Sequence, residues 1–276
     1  MALTEASTDN TIPLPVNERQ IYAVAFGLFA VASGFTVYFV RSMRGGMLMA
    51  GGWTMSMMWM RMPNQIWIQA AVVFIGMWVA MMVAMMLPST LPMLLLYRRT
   101  LQARQQRHPD WLMWAAAAGY FLVWSIFGAG VYVIGVALAQ STMMSPAISR
   151  AVSLFSGAAL IASGIYQLTP WKFACLQHCR NPIFALAHYQ GGGSQREWIR
   201  AVRLGFHHGA FCVGCCWALM LIQLTLGVMN ITAMVAVAAI IAFEKLIARG
   251  ELVARVIGVA AITGGAIVII LSAAVR

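Results

Sequence analysis

Acidic side chains are the chief shortage of this chain. Only seven of its 276 residues are Asp or Glu: Glu5, Asp9, Glu18, Asp110, Glu197, Glu244 and Glu251. Most fall in tails or between hydrophobic runs. That scarcity argues against a carboxylate site for hard cations, a carboxylate proton relay and paired-carboxylate hydrolysis. No Ser/His/Asp arrangement, phosphate-cradling Gly loop or nucleotide fingerprint appears, and Gly191–Gly193 has no strand before it. Charge of either sign is thin: 9% of residues are charged, against about 25% in a soluble domain. Internal repeats and low-complexity linkers are also missing.

What fills the chain is apolar. Hydrophobic residues make up 62% of it, and the mean hydropathy is +0.80. The runs are continuous and long enough to cross a bilayer as helix, which takes about 20 residues. A spanning barrel would show short alternating segments instead. The expected fold is therefore all-α, a polytopic transmembrane helix bundle of about seven spans. They are 21–40, 66–96 (its end broken by Pro88 and Pro92), 111–139, 151–168, 204–229, 231–248 and 254–274. Only Asn230 separates the fifth from the sixth, which predicts a tight antiparallel hairpin. Residues 1–20 read as a polar tail, with Pro13 and Pro15, and 21–276 as one transmembrane domain. The first span is longer than a signal-peptide core and lacks a small-residue cleavage site, so it is expected to be retained.

Basic residues set the expected orientation. Arg19, Arg98, Arg99, Arg104, Arg107, Lys172, Arg180, Arg196, Arg200, Arg203, Lys245, Arg249 and Arg255 fall on one side, 13 in all. Arg41, Arg44, Arg61, Arg150 and Arg276, 5 in all, fall on the other. The richer side is expected to face the cytoplasm, with the N-terminus inside and the C-terminus outside. The net charge of +11 would also attract anionic lipid. Split among short loops, it gives nucleic acid no binding surface. Asp110, after Pro109, is placed to cap a helix, and Glu244 beside Lys245 to form an interfacial ion pair.

Sulfur is plentiful. Of 21 Met, 14 lie between Met43 and Met93. Met43, Met47, Met49, Met55, Met57, Met58, Met60 and Met62 stand in an external segment (43–65) with Trp53 and Trp59. Met77, Met81, Met82, Met85, Met86 and Met93 stand in the second span. Met77, Met81 and Met85 are spaced by four and share a helix face, with Met82 and Met86 beside them. Methionine is a flexible apolar packer, but thioethers are also soft ligands that favour Cu(I). Repeated M-x-M and M-M steps suit secondary metal capture by Met47, Met49, Met55, Met57, Met58, Met60 and Met62.

All five cysteines and four of the five histidines lie between Cys175 and Cys216. One set is Cys175, His178 and Cys179, in a Cys/His cytoplasmic loop (170–203). The other is His207, His208, Cys212, Cys215 and Cys216. At about 100° per residue, His208, Cys212, Cys215 and Cys216 fall within an arc of about 100° on the fifth helix. Isolated buried cysteine is a small apolar packer; this density, interleaved with His, points to a metal or redox site. His108 and His188 read as ordinary loop residues. A structural disulfide is not expected on the cytoplasmic side, where thiols stay reduced. Neither Cys215–Cys216 nor Cys175/Cys179 has the C-x-x-C redox spacing. Cys212 and Cys216 fall at a depth comparable with Met82 and Met86, at about 1.5 Å per residue. Thiolates buried there need a compensating cation. Soft Cu(I) fits; Zn²⁺ fits the thiol and imidazole groups but leaves the methionines unexplained.

Three stretches carry a resemblance. They are Gly-Met-Trp-Val-Ala-Met-Met-Val-Ala-Met-Met-Leu-Pro (76–88), Tyr-Gln-Leu-Thr-Pro-Trp-Lys-Phe-Ala-Cys-Leu-Gln-His-Cys (166–179) and Gly-Ala-Phe-Cys-Val-Gly-Cys-Cys-Trp-Ala-Leu-Met (209–220). With the Glu244–Lys245 pair they resemble a bacterial family of predicted metal-binding integral membrane proteins, over roughly residues 66–250. The resemblance implies metal binding and an inner-membrane location, and supplies no transport or catalytic role. The leading expectation is a soft-metal handling or transport protein, for copper first and zinc second. Its ligands would come from Cys175, His178, Cys179, His207, His208, Cys212, Cys215 and Cys216, with Met77, Met81, Met82, Met85 and Met86. No ATP-binding element is present to drive transport. Two alternatives stay open. One is a membrane thiol- or metal-dependent oxidoreductase using the same cysteines. The other is a structural subunit of a larger membrane complex or homo-oligomer, with Gly258, Gly264 and Gly265 packing on a partner helix.

Overall fold

A computed structural model describes residues 16–43, 46–49, 53–61, 65–182, 186 and 196–274. Eight α-helices account for nearly all of them: α1 (Val16–Ser42), α2 (Trp67–Ala103), α3 (Pro109–Met144), α4 (Pro146–Gln167), α5 (Pro170–Arg180), α6 (Glu197–Leu226), α7 (Ile231–Leu246) and α8 (Gly250–Ala274). Strands β1 (Gly46–Leu48) and β2 (Thr54–Ser56) form a small antiparallel hairpin that pairs Met47 with Met55, followed by a 3₁₀ turn at Met57–Trp59. The fold is all-helical apart from that hairpin.

Six helices, α1, α2, α3, α4, α6 and α8, are long and apolar enough to cross a membrane. The sixth expected span, 231–248, ends at Leu246 as α7 and has only 16 residues. Their exposed residues are largely Val, Ile, Leu and Phe, such as Phe26, Val31, Val133, Ile134, Ile270 and Leu271. A surface of that kind is at home in lipid rather than water.

Two local expectations fail for identifiable reasons. Pro88 and Pro92 do not end α2, which runs through both. The helix continues although the prolines leave the Ala84 and Pro88 carbonyls without their usual i→i−4 donors, and the Ser89 hydroxyl donates to the Met86 carbonyl at 3.0 Å. The connection between α6 and α7 is longer than one residue. Gly227 turns the chain at φ 105°, a conformation glycine adopts freely. Asn230 then caps α7 by accepting from the Ala233 N–H at 3.1 Å.

Close helix approach is built on glycine. A Cβ at Gly205 of α6 would strike the Ala116 carbonyl of α3, and one at Gly119 would strike Val202. On the far side, a Cβ at Gly164 would lie 2.5 Å from the Gly258 carbonyl, and one at Gly265 would lie 2.6 Å from that of Gly157. Gly258 and Gly265 therefore seat α8 against α4 of the same chain, the small-residue packing that membrane helices favour. They are not held in reserve for a partner helix. Gly264 has nothing within 4 Å of its would-be Cβ.

Asp110 does not cap α3. The capping position is His108, and Asp110 in the first turn instead accepts from Arg98 Nε at 2.5 Å. Arg99 pairs with Glu18 of α1 at 3.0 Å, so residues expected in a tail begin the first helix. The expected Cys/His loop is mostly helical where it is described: α5 occupies 170–180, started by Thr169 and Pro170, and α6 begins at Glu197. His188, Gly191–Gly193 and Met62 lie outside the described residues.

Candidate metal centre

The cysteine face of α6 points inward. Cys212, Cys215 and Cys216 are fully buried, and His208 is 3% exposed. The helical repeat puts positions 208, 212, 215 and 216 on one stripe, and the Gly205 contact brings that stripe against α3. The three sulfurs lie within 4.8 Å of one another, Cys215 and Cys216 at 3.2 Å. From α5, Cys179 reaches Cys215 at 3.7 Å and also contacts Cys212. Thiols from two helices therefore converge on one buried point.

Two cations attend this cluster. Lys245 of α7 donates to the Cys212 sulfur at 2.9 Å and to Ser89 Oγ at 3.4 Å. Lys172 of α5, completely buried, donates to the Cys215 carbonyl and pairs with Glu244 at 2.6 Å; Glu244 is 1% exposed. Gln167 completes the network by donating to Glu244 at 3.4 Å. Glu244 and Lys245 thus do not pair with each other at an interface. Adjacent on a helix, they point to different partners. Lys172 and Lys245, counted among the loop cations, face the protein interior, and so does Arg98 at 1% exposure. The Tyr120 hydroxyl of α3 hydrogen-bonds the Cys212 sulfur at 2.9 Å.

Three histidines stand close to the cluster. His178 stacks on Phe211 at 3.8 Å, with His207 5.1 Å away, and His208 lies 5.8 Å from the Tyr120 ring. Burial, and then the neighbouring His207, hold His178 below the ordinary imidazole value, so it is neutral at pH 7. Among the described residues, buried His178 Nε2 and His208 Nδ1 have no hydrogen-bond partner. Burial raises the Cys175 thiol, against the pull of Lys172. Cys175 sits beside the backbone at Gly214, whose would-be Cβ would lie 3.0 Å from its sulfur. The Tyr166 hydroxyl donates to the Gly214 carbonyl at 2.6 Å.

The methionines divide into two groups. Met77, Met81, Met82, Met85 and Met86 are all buried, Met82 and Met86 completely, in the same continuous core as Cys212, Cys215 and Cys216. On the hairpin side, Met55 is 2% exposed beneath the Thr142 hydroxyl at 4.0 Å, and Met58 is buried. Met47 is exposed, and Met49 and Met60 are half-buried. The side chain of Met57 lies outside the described residues.

A buried set of thiols, flanked by partnerless imidazole nitrogens and an ammonium, suits a soft cation. Thiolates are the binding form, and removing them from water requires compensating charge. Three of the contributors left little trace in the sequence. Tyr120 sits in a uniformly apolar helix. Lys172 and Lys245 read as loop-side charges, although each stands within a stretch that carries the family resemblance. Cys212-Val-Gly-Cys215 is itself a C-x-x-C spacing, a plain signal that had no weight beside the Cys215–Cys216 pair.

A family model described as PpoB2, copper chaperone, matches residues 75–268. No curated protein and no solved structure matches. The matched stretch holds all five cysteines and Met77–Met86, and leaves the Met-rich hairpin outside.

Proposed function

The chain belongs to the PpoB2 copper chaperone family, and from that premise we propose that it holds copper as Cu(I) inside a membrane-embedded helix bundle and hands it on. The ion is cargo. Cys179, Cys212, Cys215 and Cys216 supply the sulfur ligands, two of them as thiolates, and Lys245 offsets the resulting charge. His178, His207, His208 and Cys175 serve beside them, and the thioethers of Met77, Met81, Met82, Met85 and Met86 line the approach through α2. The carrying observation is the convergence of four sulfurs from α5 and α6 at one buried point.

In this reading the bundle lies in a bacterial inner membrane with the N-terminus inside, as the distribution of basic residues favours. Residues 21–276 act as one domain, and α7 dips into the bilayer beside the six longer helices. Soft thiolate ligands favour Cu(I), and Zn²⁺ is the competitor for the same Cys and His groups. Copper retention after washing with a Cu(I) chelator is the test. The wild type should keep near one copper per chain, and a Cys212/Cys215/Cys216→Ser triple variant should keep none. A wild type stripped as easily as the variant would end the proposal.

A second reading rests on the C-x-x-C spacing and the 3.2 Å Cys215–Cys216 separation, which would suit a thiol oxidoreductase. Titration of a disulfide couple by redox buffer, with turnover lost in Cys→Ser variants that keep copper, would favour it over copper handling.

A further inference from the structure

The copper-handling reading accounts for the cysteine centre but assigns nothing specific to the opposite end of α2. There the hairpin methionines do not act as one set. Met55 is packed under α3 against Thr142, and Met47 projects outward. Three others converge. Met43, just past α1, and Met58 and Met60, around the 3₁₀ turn, line one small cavity with Phe39, Gln65, Ala70, Val73 and Phe74.

We infer that Met43, Met58 and Met60 form a second, thioether-only site for a soft monovalent cation, at the hairpin end of the bundle. This rests on the copper-handling reading and adds a place where the ion first leaves water.

The chemistry of the lining selects the ion. The cavity measures about 30 Å³, room for about two water-sized bodies and so for one bare ion. Among the described residues its lining has no carboxylate and no thiol, and its one side-chain amide is Gln65. Hard cations demand oxygen ligands. A divalent ion surrounded by neutral groups would be poorly compensated for its lost hydration. Thioethers suit Cu(I) or Ag(I). The Phe74 ring, stacked on Trp78 at 6.0 Å and 5.4 Å from Trp59, adds π-faces that favour a cation.

The site also has somewhere to lead. Met58 and Phe74 belong to the same core as Met77, Met81, Met82, Met86 and the cysteines. From residue 74 to residue 86 the helix rises about 18 Å. Neutral ligands make the hairpin site the weaker of the two, as an entry point feeding a thiolate centre requires.

Titration with Ag(I), a redox-inert soft cation, tests this on purified full-length chain. The wild type should show a tight and a weak site. A variant with all five cysteines changed to Ser should keep only the weak one. A Met43/Met58/Met60→Leu variant should keep the tight site, which also shows that it folds, and bind at least tenfold more weakly at the second. No weak site in the cysteine-free variant would overturn the assignment. So would an unchanged weak site in the leucine variant, or loss of both sites there. If the wild type showed the weak site alone, the cysteine proposal would fail while this one stood.

Discussion

The ammonium of Lys245 lies 2.9 Å from the sulfur of Cys212, on a helix neighbouring the one that carries the cysteines. A Cu(I) ion held by two thiolates carries a net negative charge, and in a low-dielectric bundle that charge needs an answer. Lys245 supplies it, and Tyr120 adds a hydrogen bond to the same sulfur.

Replacing Lys245 with Met keeps the volume and removes the charge. Groups that steer a metal ligand from behind are worth about 10- to 100-fold in affinity. Competition with a Cu(I) chelator should show a loss in that range for Lys245→Met, with near one copper still bound at saturation. An unchanged affinity would remove Lys245 from the site.

Lys172 and Glu244 form a different kind of pair, almost fully withdrawn from solvent. Removing one partner leaves the other charge buried, at a cost of about 3–5 kcal/mol. Lys172→Met should therefore lower the thermal midpoint sharply. The double variant Lys172→Met/Glu244→Leu should recover most of the loss, because it leaves no lone charge. Equal destabilisation by single and double variants would show that packing rather than charge matters here.

Gly205 lets α6 approach α3 until a Cβ would meet the Ala116 carbonyl. Gly205→Val should separate the helices, with overpacking costs of about 1–3 kcal/mol. It should also lower copper affinity, since the cysteine stripe begins one turn further along. Gly264→Ala, where the space is open, is the control and should change neither property.

Acid should act through His178. Its folded value is held below the ordinary imidazole value of 6.5 by burial and by His207, so the unfolded chain takes up a proton first. Stability of the metal-free protein is then level above pH 6.5 and falls as pH drops from there through the folded value. His178→Phe, which preserves stacking on Phe211, should lessen that fall in thermal melts between pH 7.5 and 5, with the buried His208 contributing the remainder. An identical acid profile in the variant would show that other groups govern it.

Much of the bundle was legible because lipid demands long uninterrupted helices, and runs such as 111–139 or 254–274 allow little else. The stripe of His208, Cys212, Cys215 and Cys216 was legible for a related reason: spacing on a helix fixes a face before any packing is known. Pairing across helices was not. Whether Glu244 meets Lys245 or Lys172 depends on which side of α7 meets α5, and no local pattern encodes that. Pro88 and Pro92 misled because proline ends helices in water, whereas α2 is held on both sides of them by tertiary packing. The split of the external methionines into packed, exposed and cavity-lining sets depended on a hairpin of only three residues per strand.

The proposed copper ligands are cysteine sulfurs from two helices. Copper-edge X-ray absorption on selenomethionine-labelled chain, loaded with one equivalent, separates cysteine sulfur from methionine selenium directly. The account predicts a Cu(I) edge with a shell dominated by sulfur, and loss of that shell in the Cys212/Cys215/Cys216→Ser variant. A shell of nitrogen and oxygen only, or of selenium without sulfur, would contradict it.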